Sequence, residues 1–224
     1  MELVRFFAKF KKLALVLLGL SILIVGLFYK ALKPKQVLPV YQPAMVDPEL
    51  VDESIQYVKK YHAISPFSMI NQNGETITEQ DYQNAVYVAD FFFTTCPSIC
   101  PIMTKNMYAL QQKLSPYPDV KLLSFSVTPE IDSVAQLKRY AIENKVDDNR
   151  WNLVTGNKRE IYELARKSYL VVKDNGDGGP HDMIHTENFV LIDAEKRIRG
   201  YYDGTKLSSI ESIINDINIL ANEK

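Results

Sequence analysis

The stretch "AVYVADFFF", residues 85 to 93, limits the possible folds more than any other part of the chain. It is rich in β-branched and aromatic side chains, carries one charge, at Asp90, and shows no alternation of polar and apolar residues. A strand of this kind is buried on both faces, which demands a sheet with helices packed on each side. The flanking sequence supplies those partners. Met103, Met107, Leu110 and Leu114 recur at helical spacing on one face. "VKLLSFSV" (120–127) reads as a second strand. Ser133 with Gln136 resembles a capping box for a helix that buries Val134, Leu137 and Ala141. "WNLVTG" reads as a short strand or turn, "KREIYELARKSY" as a helix and "KDNGDGGPHDM" (173–183) as a Gly-rich loop. "ENFVLID" and "RIRGYYD" flank a turn at 194–196 and predict an antiparallel hairpin, and Leu207, Ile210, Ile213, Ile214 and Ile217 mark a closing amphipathic helix. Upstream, "FSMINQNGETIT" predicts another hairpin about Asn73-Gly74.

Strands alternating with helices, finished by a hairpin and a helix, give a central mixed sheet with flanking helices. The chain's two cysteines, Cys96 and Cys100 in "TTCPSICP", fall at the first strand-to-helix turn. The expected fold class is therefore α/β and thioredoxin-like. Its domain is assigned to residues 56–224.

The N-terminus belongs to a different environment. From Leu13 to Tyr29 no residue is charged, near the lower length limit for a membrane-spanning helix. Arg5, Lys9, Lys11 and Lys12 precede this run and Lys30, Lys33 and Lys35 follow it. The bias favours a cytoplasmic N-terminus. "GLFYKALK" offers bulky residues where a signal-peptidase site needs small ones, and no Cys follows the run to carry a lipid. The expected organisation is a basic segment at 1–12, a single uncleaved transmembrane anchor at 13–32, and a Pro-rich extended linker at 33–55. The domain would lie on the extracytoplasmic, periplasmic side of the cytoplasmic membrane, where a cysteine pair can oxidise. The leader lacks the Arg- and Ser-rich character of a transit peptide. Residues 1–35 carry +6 and the remainder −7, so the body has no basic stripe and nucleic acid is not expected as a partner.

If a helix begins near Pro97, both sulfurs face one way across its first turn, with Cα atoms about 6 Å apart, toward the long side of the disulfide range. The helix N-terminus favours thiolate. Four readings compete. A structural staple closes too small a loop to remove much chain entropy. Structural zinc needs four ligands, and the chain has two Cys and three His with no second Cys pair. A redox dithiol would carry one residue more than the C-x-x-C of thioredoxin-type enzymes. A copper site would use two soft thiolates, completed by an imidazole. Spacing alone leaves these open. Of the histidines, His62 reads as a solvated or linker residue and His181 as a solvated neighbour in the Gly-rich loop. His185 stands immediately before a strand, where such a sheet brings a loop over the first helix's N-terminus. Asp174 and Asp177 do not match an EF-hand and are set aside.

Several blocks in order resemble the Sco/SenC family of copper-delivery proteins of cytochrome c oxidase assembly, over about residues 60–218. "FFFTTCPSICPIM" is similar to the T-x-C-P-x-x-C-P signature, "SFSVTPEIDS" to a strand ending in D-P-E-R-D, "WNLVTG" to W-x-x-L-T-G, and "IHTENFVLID" to D-H-[ST] before a strand. The resemblance implies a thioredoxin-like fold and one copper, Cu(I) or Cu(II), bound by Cys96, Cys100 and His185. It also implies a metallochaperone role toward the dinuclear copper site of cytochrome c oxidase subunit II. A thiol–disulfide oxidoreductase acting on partner cysteines, with Cys96 and Cys100 as the redox pair, is the alternative. A thiol peroxidase or a redox or copper sensor would share the site. Two departures stand out: Thr128 occupies a place where many relatives have Asp, and Ile184 replaces the Asp that often precedes the histidine.

Overall fold

The structure, a computed structural model, describes residues 10–32, 36–172, 179 and 182–223. The chain forms two units, 1–36 and 37–224. The first holds helix α1 (Lys11–Leu32), of which Lys11–Lys30 is long and apolar enough to cross a membrane.

The second unit is built on one seven-stranded sheet: β1 (Ser68–Asn71), β2 (Thr76–Thr78), β3 (Tyr87–Phe92), β4 (Lys121–Ser126), β5 (Trp151–Thr155), β6 (Asn188–Ile192) and β7 (Ile198–Asp203). Their spatial order is β2-β1-β5-β4-β3-β6-β7. β3, β4 and β5 run parallel, and the β1–β2 and β6–β7 hairpins flank them antiparallel. Every residue of β3 is buried, Asp90 included, as the lack of polar and apolar alternation requires. The predicted hairpin turn sits at Gly74, where a φ of +79° suits a residue without Cβ.

The helices are α2 (Cys100–Lys113), α3 (Val134–Glu143), α4 (Lys158–Glu163) and α5 (Ser208–Asn222). α2, α3 and α5 bury Met103, Met107, Leu110, Leu137, Ile210, Ile213 and Ile217 against one face of the sheet. α4 continues as a π-helical turn over Leu164–Ser168 and covers the other face with Ile161, Tyr162 and Leu164. The single helix expected over 158–169 is thus one helix with a widened last turn. "WNLVTG" is a strand, and its Trp151 lies in the core.

Residues 37–55 differ from the expected free linker. Leu38 N donates to Glu223 Oε1 at 2.8 Å and Tyr41 N to Ile198 O at 2.9 Å. Arg199, its side chain 2% exposed, donates to the carbonyls of Leu38 and Pro39, to Asp193 and to Glu223. A buried guanidinium needs every donor partnered, and two of its acceptors come from this segment. Gln42 and Val51 are buried with it, so the stretch is a strap on the body. His62 is likewise not solvated: it is half-buried, its Nε2 lies 2.8 Å from Ser168 O, and burial pushes its pKa down.

Candidate metal and dithiol site

β3 delivers the chain to the C-terminal end of the parallel strands, where Phe93–Pro97 turns before α2. Cys96 N donates to Phe93 O at 3.3 Å. The helix opens at Cys100, with Ile99 as its cap and Pro101 in its first turn, rather than near Pro97. The cysteines therefore do not straddle a helical turn: Cys100 is the first helical residue and Cys96 lies in the turn before it. Both are free thiols in the core cluster of that face.

Their environments differ. Burial works against the Cys96 thiolate, but the backbone N–H groups of Ser98 and Cys100, and the Cys100 and Ser98 side chains, outweigh it and hold the thiol down to about 7. The Ser98 hydroxyl lies 3.8 Å from its sulfur. Burial pushes Cys100 up to about 12; the Phe93 backbone opposes this, and Cys96 and Asp90 add to it. Asp90, fully inside the sheet, accepts a short hydrogen bond from Ser124 Oγ, which itself accepts from Trp151 Nε1 at 2.8 Å. Burial raises Asp90 to about 7 despite the Ser124 bond.

The turn is fixed from the side by Asp132, which is wholly buried. Its carboxylate accepts from Thr94 N at 3.2 Å, Thr94 Oγ1 at 2.5 Å, Ser126 Oγ at 2.6 Å and Thr128 Oγ1 at 3.1 Å. Ser133 caps α3 by accepting from Gln136 N, while the Gln136 side chain donates to Thr94 Oγ1 at 3.1 Å. Half of the expected capping box is thereby diverted to the cysteine turn. Thr128, a departure from the family pattern noted in the sequence, serves this same buried carboxylate. Ile184 turns into the core, which anchors the segment leading to His185.

His185 is exposed, and its ring packs edge-on against Phe93 with centroids 5.6 Å apart. The structure thus brings Cys96 and Cys100 together and places His185 on the residue that carries their turn. Among the described residues no group of three His, Cys, Asp or Glu is assembled to hold a metal. His181, Asp174 and Asp177 lie outside the described residues. The sequence does not single out Asp132 or Ser124, and it marks Gln136 only as part of a capping box. The Asp of "SFSVTPEIDS", in a strand-end block, is the one available signal.

Two adjacent thiols, one biased to thiolate, form a soft donor pair that fits a soft metal ion or a disulfide. A dithiol of this kind at the first strand-to-helix turn of a helix-flanked mixed sheet defines a thioredoxin-like thiol protein. The family model described as SCO1/SenC matches residues 56–222, and the chain belongs to that family. It is 34% identical over 158 residues to the SCO1 protein homolog of Bacillus subtilis, covering 70% of this chain and 81% of that protein. A solved structure of BsSco, described as a member of the Sco family of cytochrome c oxidase assembly proteins with a disulfide switch, superposes with TM-score 0.63 at 33% identity, over 73% of this chain and 95% of that one. Arabidopsis thaliana ScoI with copper bound superposes with TM-score 0.56 at 27% identity, over 70% of this chain and 99% of that one.

Proposed function

We propose that this chain is a membrane-anchored, extracytoplasmic copper chaperone that holds one copper through Cys96, Cys100 and His185 and hands it on during assembly of cytochrome c oxidase. Subunit II, with its dinuclear copper site, is the partner. The observation that carries the reading is the unlike thiol pair beside an exposed imidazole. Cys96 offers a thiolate near neutral pH, and Cys100 yields its proton when a metal competes for the sulfur. His185 makes no hydrogen bond to other described residues, so rotation of its side chain about Phe93 is unopposed by polar contacts. Copper in the Arabidopsis relative and the assembly role stated for BsSco support the same reading. The apolar α1 supplies the anchor.

The same thiol asymmetry favours a second reading, a thiol–disulfide oxidoreductase in which Cys96 attacks and Cys100 resolves. One experiment separates the two. Anaerobic titration of the reduced protein with copper is expected to give one equivalent bound, with thiolate-to-Cu(II) absorption for the oxidised metal. The His185→Ala variant is expected to keep Cu(I) and lose Cu(II). Unchanged copper binding in a Cys96→Ser, Cys100→Ser variant would overturn the site. Reductase activity that survives His185→Ala, without any copper uptake by the parent protein, would establish the second reading.

A further inference from the structure

The segment 182–187 leads into β6 and touches the cysteine turn where His185 packs on Phe93, and its burial alternates. Ile184 and Thr186 point inward, whereas Met183, His185 and Glu187 are exposed. Met183 and His185 are both exposed and flank the buried Ile184, so a thioether and an imidazole stand two residues apart on the accessible side of this segment. The Tyr162 hydroxyl lies 4.0 Å from Met183 Sδ and 3.0 Å from Val127 O, which places the thioether near the end of β4. That strand end lies beside the end of β3, since Val127 N donates to Phe92 O at 2.8 Å, and His185 packs on Phe93 of the same turn.

The other methionines sharpen the comparison. Met69, Met103 and Met107 are core residues. Met45 is 57% exposed and Met183 42% exposed. Both could meet an ion from solvent, yet only Met183 has an exposed imidazole two residues away. A thioether suits Cu(I), binds it without losing a proton and releases it more readily than a thiolate does.

We propose that Met183 and His185 form a second, weaker Cu(I) position outside the dithiol, through which the ion passes on its way to or from Cys96 and Cys100. This rests on the copper reading above. The transfer is a ligand exchange: bonds to Met183 Sδ break as bonds to the cysteine sulfurs form, the copper stays Cu(I), and the thiol protons go to solvent. His185 is shared by both positions, so the ion changes one soft ligand at a time.

The test uses the full-length protein in detergent, anaerobically, with 13C-labelled methionine methyl groups and Cu(I) supplied as its acetonitrile complex. In the Cys96→Ser, Cys100→Ser variant, the Met183 methyl resonance, assigned by its loss in Met183→Leu, is expected to shift saturably while that of Met45 stays still. A Met183 signal that does not move, or one that moves in step with Met45, would overturn the proposal. In the parent protein, Met183→Leu is expected to leave one copper bound at the cysteines but to slow its loading about tenfold, whereas Met45→Leu should load normally. Equal loading rates would overturn the proposal even if the cysteine variant failed to fold. If the parent cysteines take up no copper and the Met183 shift persists, the copper-chaperone reading fails and the passage to the cysteines with it, whereas cysteines that load at the parent rate without Met183 overturn the passage alone.

Discussion

Replacing Asp132 by Asn tests whether the buried carboxylate sets the geometry of the cysteine turn. The native group accepts four hydrogen bonds from Thr94, Ser126 and Thr128. An Asn that keeps its oxygen at the Oδ2 position still receives three of them, from Thr94 N, Ser126 Oγ and Thr128 Oγ1. Hydrogen bonds to a charged group contribute about 1.5–3 kcal/mol and neutral ones about 0.5–1.5, so each retained bond weakens by about 1 kcal/mol. The amide nitrogen now faces Thr94 Oγ1, whose hydroxyl must turn around and compete with the Gln136 side chain. The expected loss is about 3 kcal/mol, a large part of the roughly 5–15 kcal/mol that holds a domain together, yet compatible with folding. Urea denaturation of the reduced protein at neutral pH measures it. A double-mutant cycle with Thr94→Ser, which keeps the hydroxyl, and with Thr94→Ala, which removes it, then localises the effect. Coupling is expected with Ala and not with Ser. A loss below about 1 kcal/mol, the scale of an ordinary surface substitution, would refute the reasoning, as would full additivity with Thr94→Ala.

Two further outcomes follow from the site and the strap. Cys96 should be the first thiol alkylated, with a rate rising about a midpoint near pH 7, because its thiol is held down to about 7 while Cys100 is pushed up to about 12. The sign for stability is the same: the fold favours the Cys96 thiolate, so its contribution is complete above the free thiol's pKa and is lost as pH falls through about 7. Mass spectrometry of briefly labelled protein reads this out, and initial labelling at Cys100 would contradict it. Arg199→Ala should cost about 1.5–3 kcal/mol, because half-buried Glu223 and the carbonyls of Leu38 and Pro39 lose their donor while buried Asp193 keeps Arg197, and it should open residues 37–55 to limited proteolysis. A variant as protease-resistant as the parent would show that the strap does not depend on this guanidinium.

The order of elements was legible because its signals are local. The run of β-branched and aromatic residues in β3, the helical spacing of Met103, Met107, Leu110 and Leu114, and the Asn73-Gly74 turn each lie within a few residues. The cysteine pair was legible for the same reason. The start of α2 was placed too early because Pro97 suits a first turn as well as Pro101 does. The choice rests with Ile99 and the backbone bonds of Ile102 and Met103 to its carbonyl. The strap was missed because its Pro-rich sequence reads as extended chain, and what captures it, Arg199 and Glu223, lies more than 150 residues away. Asp132 was missed on similar grounds: its contact with Thr94 spans 38 positions, and nothing within "PEID" distinguishes a buried carboxylate from a solvated one. His185 was read for its place before a strand, whereas its packing on Phe93 depends on how two segments meet.

The Tyr41–Ile198 bond has a consequence for handling the protein. β7 is the outermost strand on its side of the sheet, and Tyr41 N satisfies an acceptor on it while the Tyr41 ring packs against Tyr201, centroids 5.2 Å apart. An outer strand with unmet backbone groups is a template on which another chain can add. A polypeptide begun at residue 56, where the family match starts, would keep all seven strands and both cysteines but leave that flank bare. Its sheet would then be free to continue into a neighbour's, and dimers or larger aggregates would accumulate with concentration. Beginning at residue 37 keeps the sheet closed.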